Sequence, residues 1–243
     1  MPFEFMVFVV GVLAGGVASV TGFAIGSFLT PVLALRLDTK LAVAAVSVPH
    51  LIGTVMRFLT LKKRIDKRVL LHFGILSAVG GLIGALLQSR ASSPALEGVF
   101  GLLLIFAGLS GLTTFSRRMR FSRRAAWLAG TLSGLFGGMV GNQGGIRSAA
   151  LLGFDVSRES LVATATAVGL IVDGARMPVY AATQGEAMAG AWVSIAIATA
   201  GVLLGTFVGL PLLRRISEPV FRTSLSLAIT ALGIYMSVRA LRG

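Results

Sequence analysis

The sequence predicts an all-α, polytopic membrane protein: eight apolar segments in two inverted four-segment repeats, with segments one and five broken and re-entrant. Three observations predict it. Of 243 residues, 55% are hydrophobic and 13% charged. A soluble domain carries about 25% charge, so this chain holds more apolar surface than one globular core can bury and needs lipid as its solvent. The apolar residues also run in continuous stretches, most near the ~20 residues of a spanning helix, instead of alternating as barrel strands do. Finally, glycines of the first half recur in the second at a fixed offset.

The segments cover approximately 3–35, 41–59, 69–88, 95–115, 124–153, 160–182, 188–213 and 219–238. Glu4 is the only charge ahead of the first run. A signal peptide would carry a positive n-region there, so the run is read as retained. Segments one and five are long and glycine-broken, at Ser19-Val20-Thr21-Gly22 and within 137–145; such glycine density argues against one continuous helix.

At a shift of 119 residues, the separation of Arg57 from Arg176, residues 11–34 overlay 130–153 without gaps. Gly11, Gly15, Gly22 and Gly26 fall on Gly130, Gly134, Gly141 and Gly145, and Ser47 falls on Thr166. Gly80 and Gly84 meet Gly201 and Gly205 at 121, and Pro94 and Gly108 meet Pro219 and Gly233 at 125. Two homologous halves follow, 1–120 and 121–243, forming one membrane domain.

Orientation comes from the basic loops. Lys62, Lys63, Arg64, Lys67 and Arg68, then Arg117, Arg118, Arg120, Arg123 and Arg124, then Arg214, Arg215 and Arg222 mark three loops as cytoplasmic. If all eight segments crossed, loop 214–222 would lie outside. If segments one and five dip in and return, all three loops share a side and the halves are inverted, so two hairpins and six crossings are favoured. The same clustering explains the net charge of +13 without nucleic acid.

Cysteine is absent and histidine is limited to His50 and His72, which removes thiolate chemistry and leaves no protein-built metal site. No glycine loop of Walker type and no His-Glu-x-x-His motif occurs. Asp173 is the only acid deep within an apolar run, too few for paired-carboxylate catalysis. The sequence therefore predicts no enzyme and no cofactor. The expected partners are a small anion and the bilayer, and a homo-oligomer stays open.

A broken helix turns unpaired N–H groups, at the positive end of its dipole, toward whatever lies at the break. Asn142, Gln143, Gly144, Gly145, Arg147 and Ser148 add amides, a hydroxyl and a guanidinium that forks onto an oxyanion. The alternative is an interfacial loop from which Arg147 snorkels. Ser19, Thr21, Gly22 and Ser27 offer a polar, uncharged counterpart, or plain close packing. His50 lies about 13 Å into its segment at 1.5 Å per residue, near the bilayer centre, where it either meets substrate or proton or is a hydrogen-bonded structural histidine. Arg57 and Arg176 each lie about 24 Å along their helices. Inversion then puts them at opposite mouths of the pathway, as vestibule or gating residues; snorkelling for Arg57 and a surface pair with Asp173 for Arg176 are the plainer readings.

Gly22-Phe23-Ala24-Ile25-Gly26-Ser27-Phe28-Leu29-Thr30-Pro31 resembles the first glycine-rich signature of the TauE/SafE (sulfite exporter, TSUP) family, and Gly141 to Arg147 stands where that family has its second. The resemblance covers essentially the whole chain. It implies a secondary transporter of sulfite, sulfoacetate or related organic anions in the cell (inner) membrane. The second half departs from the pattern: Ala149-Ala150 replace the counterpart of Pro31, and Asn142, Gln143 and Arg147 replace small residues. Alternating access with an anion between the hairpin tips is the leading expectation. A passive anion channel, and a membrane enzyme or scaffold, are the alternatives.

Overall fold

The structure is a computed structural model that describes residues 2–22, 24–113, 123–141, 147, 157–213 and 218–242. Among these the chain is helical, without strands. The helices are α1 (Pro2–Thr21), α2 (Ile25–Leu33), α3 (Thr39–Leu61), α4 (Lys67–Arg90), α5 (Ser93–Leu112), α6 (Arg123–Val140), α7 (Arg158–Gly190), α8 (Trp192–Leu213) and α9 (Glu218–Arg242), with a 3₁₀ turn at Lys62–Arg64. Five are long and apolar enough to cross a membrane: the spans Pro2–Ser19, Thr39–Arg64, Lys67–Arg90, Ser93–Ser110 and Ser160–Gly190. Large apolar side chains such as Phe5, Leu102, Leu128 and Phe207 stand on the outside, as a lipid solvent requires.

Helix starts follow local chemistry. Asp38 accepts from the Lys40 amide at 3.1 Å, Asp66 from Val69 at 3.0 Å and Ser157 from Ser160 at 3.2 Å, each satisfying a donor the helix cannot. Segment one breaks between α1 and α2, where Gly22 has φ 80° and Ala24 φ 128°. Arg36, just past α2, then stacks on Phe3 at 4.4 Å and approaches Glu4 at 3.8 Å, so the chain returns to the end at which it began. Segment five differs from expectation. Gly137 and Gly138 remain helical in α6, and the turn comes at Gly141, φ 73°. Gly138 is glycine because a Cβ there would strike the Gly81 carbonyl of α4 and lie 2.7 Å from the Ala85 nitrogen. Helix α7 also outlasts its apolar run to reach Gly190, since Gln184 and Glu186 are good helix formers.

Small residues set the helix pairs. In α1, Gly11 abuts Ala198 and Gly15 abuts Val202 of α8, while Ser19 donates toward the Thr206 carbonyl at 3.3 Å. In α6, Gly130 abuts Phe73, Gly134 abuts Ser77 and Gly138 abuts Gly81 of α4. Both pairs are parallel. Their contacts coincide at shifts of 119 in the first helix and 125 in the second, the separation of Phe73 from Ala198. The overlay of Gly80 and Gly84 on Gly201 and Gly205 is thus one turn out of register; packing pairs Gly80 with Gly205, and the sequence then pairs Gly84 with Gly209. The error arose because glycines recur every fourth residue along these faces.

Helices α5 and α9 pack antiparallel through Gly101 on Ser237 and Gly108 on Thr230. At one end Glu97 joins them to the hairpin. It accepts from Thr39 Oγ1 at 2.6 Å and pairs with Arg239 Nε at 3.1 Å, while Arg239 also donates to the Ala34 carbonyl. At the other end the Asp66 amide donates to Thr164 Oγ1 at 3.0 Å. These directions put the ends of α3, α5 and α8 and the starts of α4, α6 and α9, which flank the three basic loops, on a common side.

Candidate functional site

Two helices bring the charged residues together. Ser47 lies 2.9 Å from Met177 Sδ, His50 Nδ1 lies 2.7 Å from Asp173 Oδ2, and Thr54 borders Gly169. Numbers rise on α3 as they fall on α7, so the helices cross antiparallel near residues 52 and 171. Buried side chains collect at this crossing: His50, Thr54 and Arg57 from α3; Asp173, Arg176 and Tyr180 from α7.

This corrects the placement of Arg57 and Arg176 at opposite mouths. Each lies only about 7 Å along its helix from the crossing at 1.5 Å per residue, within reach of a long side chain reaching back. Depth counted from the ends of the apolar runs overestimated the separation because α7 continues well past its run. Arg176 is 1% exposed and Arg57 5%; neither snorkels. Arg176 grips Asp173 with Nη2 at 2.7 Å and Nε at 3.0 Å, which is the i,i+3 pair expected, but wholly buried. Its Nη1 donates to the Gly137 carbonyl at 2.6 Å, and Tyr180 donates to the Gly138 carbonyl. The last turn before the break is therefore held by α7.

Arg147 arrives from beyond that break. It is buried and donates Nη1 to the Ala165 carbonyl at 2.6 Å, filling the space a side chain at Gly169 would need. Arg57 donates Nη2 to Thr54 Oγ1 at 3.0 Å. Both arginines lie within electrostatic reach of Asp173. Among the described residues, three guanidinium groups thus face one carboxylate, a formal excess of +2 with His50 neutral. A buried excess of this kind is costly unless something else compensates it.

The donors are not used up. Arg57 Nε and Nη1, Arg147 Nε and Thr30 Oγ1 are buried without a hydrogen-bond partner. A Cβ at Gly53 would lie 3.3 Å from Ile25 Cδ1 and 3.6 Å from Arg57 Nη1, so the side chain of the first residue of α2 and the free face of Arg57 border the same spot. No side chain caps that start. A Cβ at Gly141 would lie 3.7 Å from Thr30 Oγ1 and 3.9 Å from Arg176 Nη1. The turns at Gly22 and Gly141 and the three arginines therefore lie close together, and the unpartnered side-chain atoms there are chiefly N–H donors.

Of the residues the sequence singles out, His50, Arg57, Arg147, Asp173 and Arg176 meet in this cluster. Gly22 sits beside Val162, as its repeat mate Gly141 sits beside Val43. Ser19 does not join: its hydroxyl is spent on the Gly15 carbonyl at 3.0 Å and on α8, so close packing is the correct reading there. Thr21 closes α1. Asn142, Gln143, Gly144 and Gly145 lie outside the described residues, as does Ser148. Sequence reasoning passed over Thr54, Tyr180 and Thr30. Thr54 was within reach, since a shift of 119 places it on Asp173. Among the described residues no three His, Asp or Glu side chains gather as a metal site would need.

The profile of the family Sulfite exporter TauE/SafE matches residues 7–236. The chain belongs to the TauE/SafE family. No curated protein and no solved structure matches it. The match runs through both halves and every helix described above, so the TauE/SafE assignment covers the arginine cluster and both hairpin breaks. It makes this a multi-pass membrane protein of an anion-exporter family, in keeping with its long apolar helices.

Proposed function

We propose that this TauE/SafE protein is a secondary transporter that carries small sulfur-containing or organic anions, of the sulfite and sulfonate type, across the cytoplasmic membrane by alternating access. The observation that carries the reading is the set of buried, unpartnered donors on Arg57 and Arg147 beside the uncapped start of α2. An oxyanion between them accepts those hydrogen bonds and offsets the formal excess of +2. In this reading Asn142 and Gln143 supply amides and Gly144 and Gly145 let the chain approach the anion, as the sequence after Gly141 suggests, while Gly22 shapes the turn of the first hairpin.

Two inverted halves supply the moving parts. The parallel pairs α1–α8 and α6–α4 are made from exchanged halves, and the antiparallel pairs α3–α7 and α5–α9 join each element to its own repeat mate. An internal two-fold axis in the membrane plane produces that pattern. Rocking the α1–α8 pair against the α4–α6 pair about the α3–α7 crossing exposes the site to each side in turn. The basic loops put their side in the cytoplasm.

The test is flux of sulfite or sulfoacetate into liposomes holding the purified protein. Arg147→Ala is expected to raise the half-saturating concentration about 10–100-fold, the worth of one charge-assisted hydrogen bond. Gly169→Ala acts indirectly: its Cβ would lie 2.6 Å from Arg147 Nη1, so the guanidinium must leave its place. Affinity should fall about tenfold with little change in thermal stability. Arg147→Ala transporting like the parent at limiting substrate would end the site assignment, and conductance at channel rates would end alternating access.

A further inference from the structure

The His50–Asp173 pair is not among the unpartnered donors, and its geometry points to a different part in transport. We infer that this pair is a proton-binding site and that a proton and the anion cross the membrane together, in the same direction. The inference rests on the transport reading above.

Asp173 Oδ2 accepts from His50 Nδ1 at 2.7 Å, so Nδ1 carries the hydrogen and Nε2 is the basic atom left. The Asp173 side chain is 0% exposed, and the His50 side chain 9%. A proton therefore arrives on Nε2, turning a neutral imidazole beside a carboxylate into an imidazolium beside a carboxylate. Histidine is the side chain whose charge changes near neutral pH. The two residues come from opposite halves, 123 positions apart, at the crossing about which the rocking would occur.

The charged groups facing the pair fix the sign of the coupling. Arg57 comes from α3 itself, Arg176 and Tyr180 from α7, and Arg147 from beyond the break in segment five. Helices α2 and α8 contain no acid, lysine, arginine or histidine, and the charged residues of α4 and α6 lie near their ends. Among the described residues three arginines against one carboxylate leave a formal +2, and a proton on His50 raises it by one whatever the total. That proton strengthens the pull on an anion, and reciprocity requires the anion to strengthen the hold on the proton by the same factor, about tenfold for charges this near. Proton and anion thus load as a pair and leave as a pair. An exchanger needs the opposite sign, with anion binding expelling the proton.

The experiment uses the whole protein in liposomes with sulfoacetate, an anion that forms no neutral gas able to cross lipid, and an internal pH dye. A sulfoacetate gradient is expected to drive protons in its own direction at about one per anion. In His50→Gln the number of protons moved per sulfoacetate should fall below about 0.1 at whatever rate remains. Protons moving the opposite way, no protons in the parent, or an unchanged ratio in His50→Gln each overturn the proposal. Absence of sulfoacetate flux in the parent would instead overturn the transport reading. Should His50→Gln fail to fold, the chain's two histidines allow a direct measurement. With His72→Gln and ¹⁵N-labelled histidine, adding sulfoacetate at fixed pH is expected to raise the imidazolium fraction of His50; a fall or no change refutes the coupling.

Discussion

Asp173→Ala is expected to reduce flux to background and to destabilise the folded protein by about 3–5 kcal/mol, because it breaks a buried pair by removing one partner. Arg176 would lose two hydrogen bonds and His50 its carboxylate acceptor, leaving three buried guanidinium groups with no counter-charge among the described residues. For a chain of this size the midpoint of thermal unfolding in detergent should drop by about 6–20 °C. Two roles of the carboxylate are separable. Asp173→Asn combined with Arg176→Met removes both charges at nearly unchanged volume, a change that often leaves stability level. The double variant should recover at least about 2 kcal/mol over the single one and still carry no anion. A single variant that unfolds like the parent, or a double variant that transports, would contradict the cluster described here.

The second large effect is steric. A Cβ at Gly84 would collide with the Leu135 carbonyl and lie 2.9 Å from the Met139 nitrogen; one at Gly205 would collide with the Val12 carbonyl and lie 2.9 Å from the Gly16 nitrogen. Both obstacles are backbone, which cannot rotate aside as a side chain can. Gly84→Val and Gly205→Val should each cost about 3 kcal/mol or more, the upper part of the overpacking range, since close approach is what holds apolar helices together in lipid. The control is Gly185, which has nothing within 4 Å. Gly185→Ala should be neutral, or stabilising by up to about 1 kcal/mol through helix propensity. Equal unfolding midpoints across the three variants would show that the helix pairs do not depend on these contacts.

Much of this was legible in the sequence because the determining physics is local. The break after Thr21 follows from Gly22, and the Arg176–Asp173 pair from a spacing of three on a helix. What was not legible is whatever depends on where two helices cross. His50 and Asp173 are 123 positions apart, and no spacing rule joins them. Arg57 was read as peripheral because depth was counted from the edge of an apolar run, whereas its environment is set by the crossing near residue 52. Gly137 and Gly138 were read as part of a break because glycine has two uses. It frees φ, as at Gly141, and it lets backbones touch, as at Gly138; only the partner helix tells these apart.

The exchanged packing of α1 has a consequence for biosynthesis. Gly11 finds its neighbour at Ala198, so α1 must wait, without its permanent partner, until the long stretch of polypeptide between them has followed it into the bilayer. Neither half is a self-sufficient folding unit. A gene cut between Thr113 and Arg123 should give fragments that are degraded when made singly and survive when made together, each completing the other as it is inserted.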